Sequence, residues 1–61
     1  MKALEDKTAF ITGAGSGIGR ESALKMAAAG AQVVVCERDE EAGRRSVESI
    51  QEAGGSAFLV V

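Results

Sequence analysis

Few residues in this chain can do chemistry, and most of those are glycines. Thr12-Gly13-Ala14-Gly15-Ser16-Gly17-Ile18-Gly19 sets four glycines at alternate positions. A backbone with so little side-chain cover can turn through left-handed conformations and bring its N–H groups against a bulky anion. When a strand feeds such a loop into a helix, the unpaired N–H groups of the first turn and the positive end of the helix dipole converge on one point, which suits a phosphate. Ser16 and the backbone N–H of Ile18 are the expected phosphate contacts. Glu37 stands about 20 residues beyond the loop, at the end of an apolar run, where a carboxylate can accept hydrogen bonds from ribose hydroxyls. Arg38 follows it and supplies a cation within reach of a ribose phosphate. The chain has no histidine and no tyrosine, and its one cysteine, Cys36, has no histidine to activate it. Cys36 therefore reads as a small core residue. No catalytic group and no metal-ligand set is expected.

These residues need a scaffold, and the surrounding pattern supplies one. Lys7 to Thr12 reads as a short strand stopped by Gly13. After the loop, Ile18, Ser22 and Met26 fall on one helical stripe and Gly19, Ala23 and Ala27 on the next, while Arg20, Glu21 and Lys25 point away. The stripe of small residues would let this helix lie close to a sheet. Gly30 is the expected left-handed residue after the helix, and Ala31 to Cys36 reads as a central parallel strand covered on both faces.

Asp39 is a good N-cap for a second helix whose first turn carries Glu40 and Glu41. Its expected inner face is Ala42, Val47 and Ile50, with Arg44, Arg45, Glu48, Gln51 and Glu52 solvated, and Glu40-Glu41 facing Arg44-Arg45 as surface ion pairs. Gly54-Gly55 ends the helix, and Ser56 to Val61 reads as a third strand. The β-α-β-α-β order predicts an α/β fold with parallel strands in the order 3-2-1, one half of a doubly wound Rossmann sheet. Both helices then cover one sheet face. The other face is left bare, so residues 1–61 are expected to be the N-terminal half of a dinucleotide-binding domain.

Composition narrows the class of partner. Seven basic and nine acidic residues give a formal charge of −2, and aromatics are limited to Phe10 and Phe58. That argues against nucleic acid. The N-terminus, Met1 to Lys7, is charged and lacks a long apolar stretch, which argues against a signal peptide or membrane span. One cysteine, with no disulfide framework, favours the reducing cytoplasm.

Spacing sorts the loop among known phosphate cradles. A P-loop requires G-x-x-x-x-G-K-[ST], which neither Gly13 nor Gly15 can begin, and G-x-G-x-x-G fails because Ile18 stands where its third glycine belongs. T-G-x-x-x-G-x-G fits, through Thr12, Gly13, Gly17 and Gly19. With the strand before it, the helix after it and the acid ending the second strand, the chain resembles the short-chain dehydrogenase/reductase family. The resemblance implies an NAD(P)-dependent oxidoreductase of the alcohol dehydrogenase or ketoreductase type, taking a small carbonyl or alcohol substrate and assembling as a homo-oligomer. It places Thr12, Gly13, Ser16, Gly17, Ile18, Gly19, Glu37 and Arg38 at the cofactor.

Glu37 would repel a 2′-phosphate, so NAD is expected. Ser16 stands where NADP-using members often carry Arg or Lys, which agrees with NAD; Arg38 leaves NADP as the alternative. The resemblance also assigns hydride transfer to a tyrosine, a lysine and a serine from the second half of the fold, so these residues alone are expected to be inactive. Two rival readings stand beside this one. The first is a free-standing nucleotide-binding module without chemistry. The second is a fragment of an S-adenosylmethionine-dependent methyltransferase, suggested by the G-x-G-x-G at Gly13, Gly15 and Gly17, although Ile11 replaces the acid such sites usually carry. The isolated 61-residue peptide is predicted to show no sharp thermal transition by circular dichroism and no saturable NAD binding; a sharp melt raised by NAD would overturn this.

Overall fold

A computed structural model describes residues 3–61; Met1 and Lys2, part of the charged N-terminal stretch, lie outside the described residues. The elements run β1 (Thr8–Thr12), α1 (Gly17–Ala28), β2 (Gln32–Cys36), α2 (Glu40–Glu52) and β3 (Ser56–Val60). The three strands pair in parallel in the order β1-β2-β3, the expected 3-2-1 read from the other edge. Their register is flush, with Phe10 opposite Val34 and Val34 opposite Phe58.

Alternation of side chains along the strands sorts the sheet into two unlike faces. Val33, Val35 and Ala57 are buried with Ala14, Ala23, Ala27 and Ile50, and Ile11, Leu24, Val47 and Leu59 pack against that cluster. Both helices lie on this side. On the other side Phe10 is 73% and Phe58 49% exposed, yet Val34 between them is only 3% exposed. Both helices lie on one face, as expected, and among the described residues no helix covers the second face of the apolar β2 run. Val34 is instead shielded edgewise, because its in-register neighbours on the same face are two aromatic rings.

The helices depart from simple periodicity in instructive ways. On α1 the buried residues are Ala23 and Ala27. The stripe expected beside them does not form a core, since Ile18 is 84% exposed and Met26 is also exposed. Small residues let the helix backbone come close to the sheet, and that approach leaves no room for a wider apolar face. Arg20 does not point away either; its Nη2 donates to Ser49 Oγ at 2.7 Å, joining α1 to α2.

Asp39 caps α2 as expected, its Oδ1 accepting from the Ala42 N–H at 3.1 Å. The pairs Glu40–Arg44 and Glu41–Arg45 form on the solvated side, where such contacts contribute only a few tenths of a kcal/mol. Ala42 and Ile50 are buried, and so are Gly43 and Ser46. A Cβ on Gly43 would come within 2.5 Å of Leu59 Cδ1 and 3.1 Å of Glu37 Cβ, so a glycine here lets α2 close onto β3 and the tip of β2.

Ile50 is the largest side chain in this core and is essentially inaccessible. In the complete protein, Ile50→Ala is predicted to destabilise the fold by about 2–5 kcal/mol in urea unfolding. A loss below about 1 kcal/mol would show that the site collapses and that Ile50 does not anchor α2.

Candidate functional site

The flush strands end together, and at their C-terminal ends lies a cleft of about 400 Å³ lined by Thr12, Gly13, Cys36, Glu37, Arg38, Val60 and Val61. Thr12 closes β1 and is exposed. Gly13 makes the turn at a left-handed φ of 66°, and its N–H donates to the Cys36 carbonyl at 2.9 Å, which ties the loop to the tip of β2. Gly17 also takes a left-handed φ, of 58°, which a side chain would disfavour. Gly19 serves a different end. A Cβ there would strike the Gly13 carbonyl, so only glycine lets the start of α1 sit on the loop.

Ser16 is the N-cap of α1, in extended conformation, and its hydroxyl makes no capping bond. The loop's hydrogen bond into the helix runs from the Arg20 N–H to the Ser16 carbonyl at 3.3 Å. The N–H groups of Gly17, Ile18 and Gly19 precede it and have no acceptor in the turn before them. Ile18 thus offers its backbone, while its side chain stands in solvent. Ser16, Gly17, Ile18 and Gly19 do not line the cleft with Thr12, Gly13, Glu37 and Arg38. The predicted residues form two adjoining parts, a helix start for an anion and a cleft bearing a carboxylate.

Glu37 is half-buried at the end of β2, where its own N–H donates to the Val60 carbonyl at 3.0 Å. Its Oε1 accepts from the Gly15 N–H at 2.8 Å and its Oε2 from the Asp39 N–H at 3.1 Å. Each carboxylate oxygen keeps a further lone pair for a hydroxyl donor. Sequence reasoning missed Gly15, a free position in the T-G-x-x-x-G-x-G pattern. A Cβ there would lie 2.5 Å from Glu37 Oε1, so the seat of the carboxylate requires glycine. The available signal was a glycine that the motif itself does not demand.

Arg38 is exposed on the cleft wall and forms no ion pair among the described residues. Cys36 was expected in the core. It is instead half-buried and lines the cleft, because alternation turns it to the helix-free side of β2 while Val33 and Val35 face the helices. Among the described residues no cluster of His, Cys, Asp or Glu can hold a metal ion, and no helix is long and apolar enough to cross a membrane. The arrangement presents backbone N–H donors of the kind that suit an anion and carboxylate acceptors of the kind that suit hydroxyl groups.

Residues 7–61 match the family model for short chain dehydrogenases. The 7alpha-hydroxysteroid dehydrogenase of Escherichia coli K12 is 51% identical over 55 residues, covering 90% of this chain and 22% of that protein. A crystal structure of hydroxysteroid dehydrogenase from Escherichia coli superposes with a TM-score of 0.90 at 50% identity, over 92% of this chain and 24% of that one. A 7alpha-hydroxysteroid dehydrogenase complexed with NADH and 7-oxo glycochenodeoxycholic acid gives a TM-score of 0.91 at 49% identity, over 93% of this chain and 22% of that one. The chain thus spans about a fifth of the length of the curated relatives it matches.

The two close approaches should respond differently to an added methyl. At Gly19 the obstacle is backbone, so Gly19→Ala is predicted to cost about 1–3 kcal/mol, as overpacking does. At Gly15 the obstacle is the end of a side chain that can swing away, so Gly15→Ala should lower the melting temperature less. Thermal denaturation of the two variants side by side in the complete protein tests this, and the reverse order would refute the geometry.

Proposed function

The chain belongs to the short-chain dehydrogenase family, and from that premise we propose that residues 1–61 form the N-terminal, cofactor-holding half of the dinucleotide domain of an NAD-dependent oxidoreductase acting on a small alcohol or carbonyl compound. One observation carries the proposal: the unpaired N–H groups at the start of α1 adjoin a cleft into which Glu37 presents a carboxylate. The residues present fit an adenine dinucleotide. Gly17, Ile18 and Gly19 offer N–H donors for the pyrophosphate, with the free Ser16 hydroxyl beside them. Gly13 and Gly19 keep the loop tight against the helix start. The remaining lone pairs of Glu37 receive the ribose hydroxyls, and Thr12 closes the cleft floor. The cleft volume falls within the range of small-molecule sites.

NAD, when bound, accepts or delivers a hydride; the contribution of these residues is to hold and orient it. Glu37 favours NAD over NADP because a 2′-phosphate would bring a second negative charge against a fixed carboxylate. Arg38, exposed and without an ion pair among the described residues, is the one feature that favours NADP. Family membership removes the S-adenosylmethionine reading. The chain carries no tyrosine, so the 61 residues are proposed to hold the cofactor within the complete protein and to leave the turnover of substrate to residues outside them. A reducing cytoplasmic setting and a homo-oligomeric assembly accompany the proposal, supported by the lone cysteine and by analogy with the family.

In the complete enzyme, Glu37→Ala is predicted to lower the ratio of kcat/KM for NAD to that for NADP about tenfold or more, the scale expected for losing hydrogen bonds to a charged acceptor. Unchanged discrimination between the two cofactors would sink the ribose assignment.

A further inference from the structure

Ser46 lies in the middle of α2 and is fully buried, and it is not among the residues proposed to touch the cofactor. Its hydroxyl donates to the Ala14 carbonyl at 2.7 Å across a sequence separation of 32. The neighbouring N–H, that of Gly15, belongs to the same peptide unit and donates to Glu37 Oε1 at 2.8 Å. In a trans peptide the C=O and N–H point in opposite directions, and the described chain has no cis bond. The Ala14–Gly15 peptide is therefore held at both of its polar atoms by two side chains on opposite sides.

The contacts close into a ring. Glu37 Oε2 accepts from the Asp39 N–H at the start of α2, α2 carries Ser46, Ser46 holds Ala14, and Gly15 returns to Glu37. We infer that Ser46 is a positioning residue of the cofactor site, which fixes the Ala14–Gly15 peptide and through it the rotamer of Glu37 before any ligand arrives. The inference rests on the dinucleotide reading of the site. Its physical content is preorganisation. A loop and a carboxylate already held in the binding geometry lose less freedom on binding, and a fully satisfied buried network is stiffer than its separate bonds. Ser46 would then govern dinucleotide affinity without touching the ligand. A serine in a helix interior otherwise gains nothing in helix propensity over alanine.

The test uses the complete protein and two readouts, residue-resolved amide exchange of the unliganded form and NADH titration by fluorescence. Ser46→Ala is expected to speed exchange at Gly15 about tenfold while the Val33, Val34 and Val35 amides stay protected, and to weaken NADH about tenfold, the scale of one buried hydrogen bond. Ser46→Thr, which keeps the hydroxyl, should restore both. Glu37→Gln keeps an acceptor for Gly15 and should preserve its protection, whereas Glu37→Ala should lose it. If Ser46→Ala retains the β2 protection but changes neither Gly15 exchange nor NADH affinity by more than about twofold, the positioning role is overturned. Should Ser46→Ala unfold the core, equal Gly15 exchange in Glu37→Gln and Glu37→Ala overturns it instead. A wild-type protein that does not bind NADH overturns the dinucleotide reading itself, a result separable from the exchange data.

Discussion

Parallel pairing in flush register governs the rest of this structure. Because β1, β2 and β3 run the same way and start level, their C-terminal ends arrive at one edge of the sheet. Everything with chemical potential emerges there, with the glycine loop leaving β1 and Glu37 and Arg38 leaving β2. Antiparallel pairing of the same strands would send Thr12 and Glu37 to opposite ends. Parallel strands also require long connections, and the two helices that provide them return along one sheet face. That return route buries Val33, Val35 and Ala57 and leaves Phe10 and Phe58 in the open.

The second constraint is distance of approach. The helices touch the sheet and loop through Ala23, Ala27, Gly19 and Gly43, positions where larger side chains would hold them off. Such contact surfaces bury little apolar area per residue. Their value lies in bringing backbone against backbone, so that Glu37 can reach an N–H of the loop and Ser46 a carbonyl of it. The loop contains glycines with left-handed φ, yet it is tied down at Gly13, Ala14 and Gly15 by bonds from other elements. Conformational permissiveness in the chain has become a single conformation in the fold.

The site's electrostatics follow from the same packing. The Glu37 carboxylate lies two residues before the N-cap of α2 and against the loop that leads into α1, among backbone N–H donors from both. Glu37 is held by two of them and faces the cleft with acceptor capacity left over. The start of α1 and the Glu37 carboxylate just beyond β2 are separate devices, made adjacent by the pairing of neighbouring strands.

Much of this was written locally. Element order, the caps at Asp39 and Gly30, the turn at Gly13 and the acid at Glu37 follow from φ preferences, side-chain capping and spacing along a short stretch, which a linear sequence carries in full. Other features were hidden because they depend on how near two remote segments come. Arg20 meets Ser49 across the helices, Ser46 meets Ala14, and Glu37 occupies the space that a side chain at Gly15 would need. Cys36 and Val34 likewise took environments that alternation along β2 alone could not assign, since which face is bare depends on where both helices return. The sequence by itself determined the elements and the glycine motif, whose physics is local; only the tertiary structure decided which side chains hold that motif in place, because a hydrogen bond exists only where folding brings donor and acceptor within reach.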